Sequence, residues 1–231
     1  RGRPLAVSMD APSLYANPRA VKNPDALSRK LAEILGVSRR NLKRKLKSRG
    51  RYVWLRRKLS PEQKRLVTDL GVSGLGFVTE SRRFYPKREM ASSLLGFVGV
   101  DDNGLSGIES AFEKEMEGHL GRIRIQRDAR GRSVHPEATV VTRAEPGADV
   151  RLTVDEVIQY IVEKELQIQL KRTGARRAIG VMVEPRTGRV LSMATVPGFN
   201  PNVYGRYAPA LWRQAAVQDI YEPGSTFKIV T

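Results

Sequence analysis

Between Arg29 and Arg65 the chain carries 15 Lys/Arg against 2 Asp/Glu, a local net charge of +13, and among them Leu31 and Leu35, then Leu42 and Leu46, stand at helical spacing. A stretch so dense in like charge folds only if its cations reach water while its leucines share a core. That requirement points to short amphipathic helices packed on other elements. The boundaries are marked. Asn23 can cap a helix, Pro24 suits its first position, Leu27, Leu31 and Leu35 share a face, and Gly36 stops it. Ser38 opens a second helix with Leu42 and Leu46 inward, stopping at Gly50. Ser60-Pro61-Glu62-Gln63 is a capping-box start for a third, with Leu66, Val67 and Leu70 inward before Gly71. Residues 21–71 therefore read as a small helical lobe with a basic outer face.

The whole chain of 231 residues has a net charge of +17, so most of the excess belongs to this lobe. The length allows one large domain or two small ones. With 40% hydrophobic and 28% charged residues, disorder throughout is excluded. Without cysteine there is no disulfide framework, thiolate metal site or cysteine nucleophile. No apolar run reaches the roughly 18 residues of a membrane span. The chain opens Arg1-Gly2-Arg3 with no Met and no signal-peptide pattern, and both ends read as cut.

Around the lobe, residues 1–20 read as a strand or extended arm, Tyr52 to Leu55 as a short strand, and Gly76 to Glu80 as another. A helix is expected over Arg88 to Val98. The turn Asp101-Asp102-Asn103-Gly104 precedes a further helix with Leu105, Ile108, Phe112 and Met116 inward, and Gly121 to about Val141 reads as a β-ribbon. Composition shifts at Glu145-Pro146-Gly147, the expected domain boundary. Val150 to Val154 is a predicted strand. Thr153 and Glu156 form a predicted capping box for a long helix with Val157, Ile158, Ile161, Val162 and Leu166 inward and Gly174 as its stop. Ala178 to Glu184 and Arg189 to Ala194 are strands joined as a hairpin by Pro185-Arg186-Thr187-Gly188. Pro223-Gly224 turns the chain into a final helix beginning at Ser225.

Ser225 and Lys228 are the sharpest chemical pair. At i and i+3 of a helix two side chains share a face, and a serine at the helix start lies at the positive end of the dipole. A hydroxyl is a weak nucleophile that needs a base, and a lysine serves if its surroundings favour the neutral amine. Ser-x-x-Lys is thus a minimal acyl-transfer unit. Alone it is weak evidence, since a serine three residues before a lysine arises by chance about once in a chain of this length.

The surrounding residues add weight. Tyr221-Glu222-Pro223-Gly224-Ser225-Thr226-Phe227-Lys228 resembles the stretch around the acylated serine of the class B penicillin-binding proteins. The segment from Val183 to Ala194 resembles the hairpin that opens their transpeptidase sheet, and Pro197, Phe199-Asn200-Pro201-Asn202 and Leu152-Thr153-Val154-Asp155 with Gln159 continue the likeness. In the front half, Arg1-Gly2-Arg3-Pro4-Leu5-Ala6, Arg82-Arg83-Phe84-Tyr85-Pro86, Gly104 to Glu109 and Arg127-Asp128-Ala129-Arg130-Gly131 resemble the family's pedestal motifs. Phe84 and Gly96-Phe97-Val98-Gly99 lean toward the division-type branch over the elongation type.

The resemblance implies an α+β architecture. Residues 1–146 would be a pedestal of mixed helices and β-ribbon, of the penicillin-binding protein dimerisation type. Residues 147–231 would be the start of a transpeptidase domain of the penicillin-binding and serine β-lactamase type, cut just after Ser-x-x-Lys. It implies a D,D-transpeptidase that cross-links peptidoglycan stem peptides through an acyl-enzyme on Ser225, with Lys228 as base. β-Lactams would acylate the same serine, and no cofactor or metal is needed. Expected partners are stem peptides, a membrane-embedded glycosyltransferase and division proteins, on the extracytoplasmic side of the bacterial membrane, with an N-terminal anchor helix outside this chain. The family's Ser-x-Asn and Lys-Thr-Gly motifs would lie downstream, so this fragment alone is expected to be inactive. The alternative is a non-enzymatic pedestal module that binds divisome or envelope partners.

Other candidates carry blander readings. The basic lobe could bind nucleic acid, yet Tyr52 and Trp54 are its only aromatics, so a solvated face is favoured and no nucleic-acid partner is expected. Arg82, Arg83, Tyr85 and Glu109 read as structural ion-pair partners and a turn anchor, with a pedestal–catalytic interface as the sharper option. Arg127 and Asp128 read likewise. His119 and His135 lack metal-ligand spacing, and Asp101 to Gly104 is a turn rather than a calcium loop.

Overall fold

The structure, a computed structural model, describes residues 2–119, 121–124, 139–143, 145–222 and 224–229. They fall into two units, one of Ala6–Phe84 and one of Arg1–Leu5 with Tyr85–Thr231.

The first unit is built as the leucine spacing demands. Strand β1 (Val7–Ala16) leads to α1 (Pro24–Leu35) and α2 (Arg39–Leu46), then β2 (Val53–Arg56), α3 (Pro61–Thr68) and β3 (Leu75–Phe84). The strands form an antiparallel sheet in the order β2-β1-β3. Leu14 and Ala16 of β1, Leu27, Leu31 and Leu35 of α1, Leu42 and Leu46 of α2, Leu55, Leu59 and Val67 make one buried cluster. Both marked helix ends behave as expected. Asn23 Oδ1 accepts from Ala26 N–H at 3.1 Å and Gly36 ends α1 in the left-handed conformation. The capping box of α3 closes, with Ser60 Oγ accepting from Gln63 N–H and Gln63 Oε1 from Ser60 N–H, each at 3.1 Å. On the other sheet face Tyr15 lies over Gly76, where an added Cβ would meet the ring at 2.4 Å. Tyr52 stacks on Tyr15 at 4.7 Å and Trp54 meets both edge-on. Arg57 Nη2 and Nε hold the Glu80 carboxylate at 2.6–3.0 Å, and these hydrogen bonds draw its pKa below the usual carboxylate range despite partial burial.

In the second unit come α4 (Ser92–Leu95), the hairpin β4 (Phe97–Val98) and β5 (Gly104–Ser106), α5 (Gly107–Ala111), α6 (Glu113–Met116) and the ribbon β6 (Arg122–Arg124) with β7 (Thr139–Thr142). The helix α7 (Glu156–Thr173) then packs on the hairpin of β8 (Ala178–Val183) and β9 (Val190–Val196), and α8 (Ala215–Gln218) follows. The architecture is α+β, as the sequence implied. Gly180 is why α7 can lie so close to β8: a Cβ there would meet Val162 and Leu166 at 3.0 and 3.1 Å. Among the described residues no helix is long and apolar enough to cross a membrane.

Several local expectations are corrected. The helix expected over Arg88 to Val98 shrinks to α4, because Arg88 and Ala91 take positive φ and turn the chain, while Phe97–Val98 is a strand. Leu105 and Phe112 do not face a core but are 49% and 39% exposed. Ser106 and Gly104 pair with β4, and the helix starts only at Gly107, where a Cβ would meet Leu94 O at 2.5 Å. Val150 to Val154 joins no sheet, and the chain bends at Thr153.

Candidate active site

The segment that carries Ser225 and Lys228 follows α7 and the β8–β9 hairpin in the chain, and the joint between those elements comes first. The cap of α7 is Asp155 rather than the expected Thr153: Asp155 Oδ1 accepts from Val157 and Ile158 N–H at 3.0 and 3.3 Å. Thr153 instead donates to Val190 O at 2.7 Å, and Asp155 N–H donates to Leu191 O at 2.9 Å, which ties the helix start to β9. Glu156 is drawn outward by Lys87 at 2.6 Å and Arg3 at 3.4 Å, and the Lys87 hydrogen bond holds its carboxyl below the ordinary range.

The predicted inward set of α7 is half right. Val157 and Ile161 are 60% and 51% exposed, while Gln159 is fully buried between Ile158 and the Val162–Leu166 stripe. Its amide uses all of its capacity. Oε1 accepts from Ser192 Oγ and Met193 N–H at 2.9 Å each, and Nε2 donates to Glu163 Oε1 at 2.8 Å and Met193 O at 3.1 Å. From the other side Gln214 Nε2 donates to Ser93 Oγ at 3.2 Å, and Gln214 Oε1 accepts from Thr195 Oγ1. Two buried glutamines thus grip β9. A side-chain amide satisfied this completely rigidifies a core, whereas each bond lost leaves a buried polar group unpaired.

The turns after Tyr85 join the same network. Ala91 N–H donates to Glu163 Oε1 at 2.7 Å, and Phe199 N–H donates to Ser92 Oγ at 3.2 Å. Desolvation pushes the Glu163 carboxyl above its ordinary range, and its hydrogen bonds only partly oppose this. Asn202 pairs with the Tyr85 backbone in both directions, Oδ1 accepting from Tyr85 N–H at 3.0 Å and Nδ2 donating to Tyr85 O at 2.9 Å. Phe97 stacks on Tyr204 at 4.1 Å and meets Phe199 and Trp212 edge-on. Further along, Asp219 takes Arg177 and, at 2.6 Å, Arg213, which fixes the chain shortly before the Ser-x-x-Lys segment.

That segment, Gly224–Ile229, is a 3₁₀ helix entered through a left-handed Gly224 (φ 54°). Short helices commonly take the tighter i→i+3 pattern, in which residues i and i+3 eclipse. Ser225 and Lys228 hold that relation, and both are exposed. The structure therefore gives the hydroxyl and the amine one helical segment and a shared side of it.

The remaining predicted residues are dispersed. Arg82 and Arg83 close β3, with Arg83 Nη1 donating to Ser8 Oγ at 3.2 Å. Tyr85 and Glu109 are buried, at the start of the second unit and in α5. Arg127 and Asp128 lie outside the described residues. Among the described residues no cluster of three His, Cys, Asp or Glu could hold a metal ion. Sequence reasoning missed Glu163, Gln214 and the role of Gln159. The signal available was a glutamine standing on the apolar stripe of α7.

Comparison with known proteins decides the family. The sequence profile described as "Penicillin-binding Protein dimerisation domain" matches residues 1–152, and that described as "Penicillin binding protein transpeptidase domain" matches residues 178–231. The chain belongs to the class B penicillin-binding proteins. Among relatives in this family, Stage V sporulation protein D of Bacillus subtilis is 33% identical over 100% of this chain and 36% of its own length. Peptidoglycan D,D-transpeptidase FtsI of Escherichia coli is 31% identical over 98% of this chain and 40% of its own. The crystal structure of a peptidoglycan synthetase from Bifidobacterium adolescentis superposes with a TM-score of 0.62 at 25% identity, covering 97% of this chain and 46% of that one. The chain therefore spans well under half the length of these penicillin-binding relatives.

Proposed function

We propose that the protein to which this chain belongs is a serine D,D-transpeptidase that cross-links peptidoglycan stem peptides. The observation that carries the reading is the Gly224–Ile229 helix, which presents Ser225 and Lys228 at i and i+3, both exposed, inside the stretch matched by the transpeptidase profile. Ser225 Oγ attacks the penultimate D-Ala carbonyl while Lys228 Nζ takes the hydroxyl proton. The C–N bond to the terminal D-Ala breaks, and that residue leaves with a proton as the free amino acid. The amine of a second stem peptide then attacks the acyl-enzyme and releases Ser225. β-Lactams follow the first half of this path and stop at the acyl-enzyme.

In this reading residues 1–146 are the pedestal and residues 147–231 open the catalytic domain. The protein is anchored at the extracytoplasmic face of the membrane, works with a membrane-embedded glycosyltransferase and division proteins, and belongs to the division-type branch. The relatives' names support the activity. The test is labelling of the full-length protein with a fluorescent penicillin. We expect a covalent band in the wild type, none in Ser225→Ala, and labelling at least about 100-fold slower in Lys228→Ala, the size of a lost general base. Equal labelling of wild type and Ser225→Ala would contradict the assignment.

A further inference from the structure

The basic lobe uses its lysines and arginines differently. Lys43 and Lys47 of α2 and its following turn both pair with the Asp25 carboxylate, at 2.5 and 3.1 Å, and their hydrogen bonds hold that carboxyl below its ordinary range. Lys45 Nζ donates inward to Leu55 O at 3.4 Å. The three ammonium groups between Arg39 and Arg51 are thus spent on the fold. Arg39, Arg40 and Arg44 of α2, with Arg49 and Arg51 just beyond it, are all exposed, and none forms an ion pair among the described residues. The one side-chain contact found for this set is Arg44 Nη2 to the neutral Asn41 Oδ1 at 3.4 Å. The turn that carries Arg49 is itself pinned, since Arg19 Nε donates to Arg49 O at 3.2 Å.

This arrangement works against the helix. Arg39 and Arg40 open α2 at the positive end of its dipole, no acidic residue stands in its first turn, and Ser38 makes no side-chain cap. Arg40 and Arg44 are like charges at i and i+4. The burial of Leu42 and Leu46 and the contacts of Lys43, Lys45 and Lys47 hold the helix in place, and the arginines add nothing to either. Folding gives no reason to put five unpaired guanidinium groups here, and a local rule broken without a packing gain marks a binding surface.

We infer that the arginine face of Arg39, Arg40, Arg44, Arg49 and Arg51 binds a linear phosphate polymer. The free groups are planar guanidinium forks, which match phosphate oxygens bidentately, while the ammonium groups suited to point-charge contact are already engaged. The exposed side of α2 offers no apolar residue to insert into a bilayer, because Leu42 and Leu46 are buried. α2 has no aromatic residue on which a base could stack, and Tyr52, half exposed beside Arg51, already has a ring face covered by Tyr15 at 4.7 Å. A flexible chain of phosphates, read by charge and fork geometry alone, is the partner this surface fits.

The probe is inorganic polyphosphate titrated against the 231-residue chain. We expect binding that weakens steeply with salt, with a slope near −0.7 per phosphate engaged, and so about −2 to −3 overall. Arg39→Gln/Arg40→Gln/Arg44→Gln should lose at least about tenfold in affinity and reduce the slope. A control with the same charge change on α7, Lys164→Gln/Lys171→Gln/Arg172→Gln, should stay within about twofold. The arginine variant should also melt about 1–3 °C higher than the wild type, because the repulsion is gone, so its loss of binding cannot be unfolding. Equal losses in the two triple variants would overturn the proposal and leave a general charge effect. So would polyglutamate binding as tightly at equal charge, an oligonucleotide binding more tightly at equal phosphate, or vesicles of phosphatidylglycerol binding where polyphosphate does not.

Discussion

The two units solve the interior problem in opposite ways. In Ala6–Phe84, eleven leucines, valines and alanines meet in one buried cluster, and the buried polar residues of the unit are two serines, Ser13 and Ser28. In the unit that begins at Tyr85, α7 and β8 leave Val157, Ile161, Ile168, Val181 and Val183 exposed, while Gln159, Ser192, Thr195 and Gln214 are buried. The first unit is held mainly by apolar area, with the Arg57–Glu80 pair and the helix caps beside it. The second depends on directional hydrogen bonds that fix β9 in one register, with an apolar surface around them that still lacks a cover. Directional bonds permit one arrangement where an oily interface permits several, which is what the proposed role of Ser225 would require.

Four changes break or sharpen this contrast. The largest effect is expected from Leu31→Ala, which opens a cavity in the first unit's cluster. A loss of about 3–5 kcal/mol in the stability of Ala6–Phe84, read by hydrogen exchange on α1, would match a dry core. Gln159→Leu should come next, at about 2–4 kcal/mol, since it strands the Ser192 hydroxyl and both Met193 backbone groups. Exchange should rise in β9 and leave α1 untouched; a leucine tolerated there would mean that the second unit is held by area as well.

Arg57→Gln tests the partly buried charge pair of the first unit. Glu80 has its folded pKa below the unfolded value, so its contribution is full above the unfolded pKa and is lost as pH falls through the folded one. The variant should be less stable than wild type by about 1–2 kcal/mol near neutral pH, for a partly buried pair, with the gap closing in acid. Urea melts at several pH values would read it, and a gap independent of pH would contradict the linkage. The smallest effect belongs to Gly76→Ala. It should displace Tyr15 and unstack Tyr52, seen as a near-ultraviolet dichroism change with a loss of about 1 kcal/mol or somewhat more.

The same contrast explains what the sequence made legible. The first unit could be read because its signals are local: Asn23-Pro24 and Gly36 bracket α1, Ser60 and Gln63 close their box, and the leucines keep helical period. The second unit was misread wherever a tertiary bond outweighed a local preference. Ala91 and Ser92 give up a longer helix to reach Glu163 and Phe199. Thr153 leaves its cap for Val190, and Gln159 takes a place that a hydrophobic stripe reserves for leucine. Ser225 and Lys228 could be singled out because their i, i+3 spacing is a local pattern, and the structure puts both on one short helix. The clamp on β9 could not, because Gln159 and Met193 lie 34 residues apart and Met193 and Gln214 a further 21, and no local pattern links them.

The central claim is that Ser225 is the nucleophile. It is tested most directly by digesting the penicillin-treated full-length protein and mapping the added mass by fragmentation. The account predicts one penicilloyl group on the hydroxyl of Ser225. An adduct on any other residue, or an active full-length protein whose Ser225 peptide stays unmodified, would contradict it.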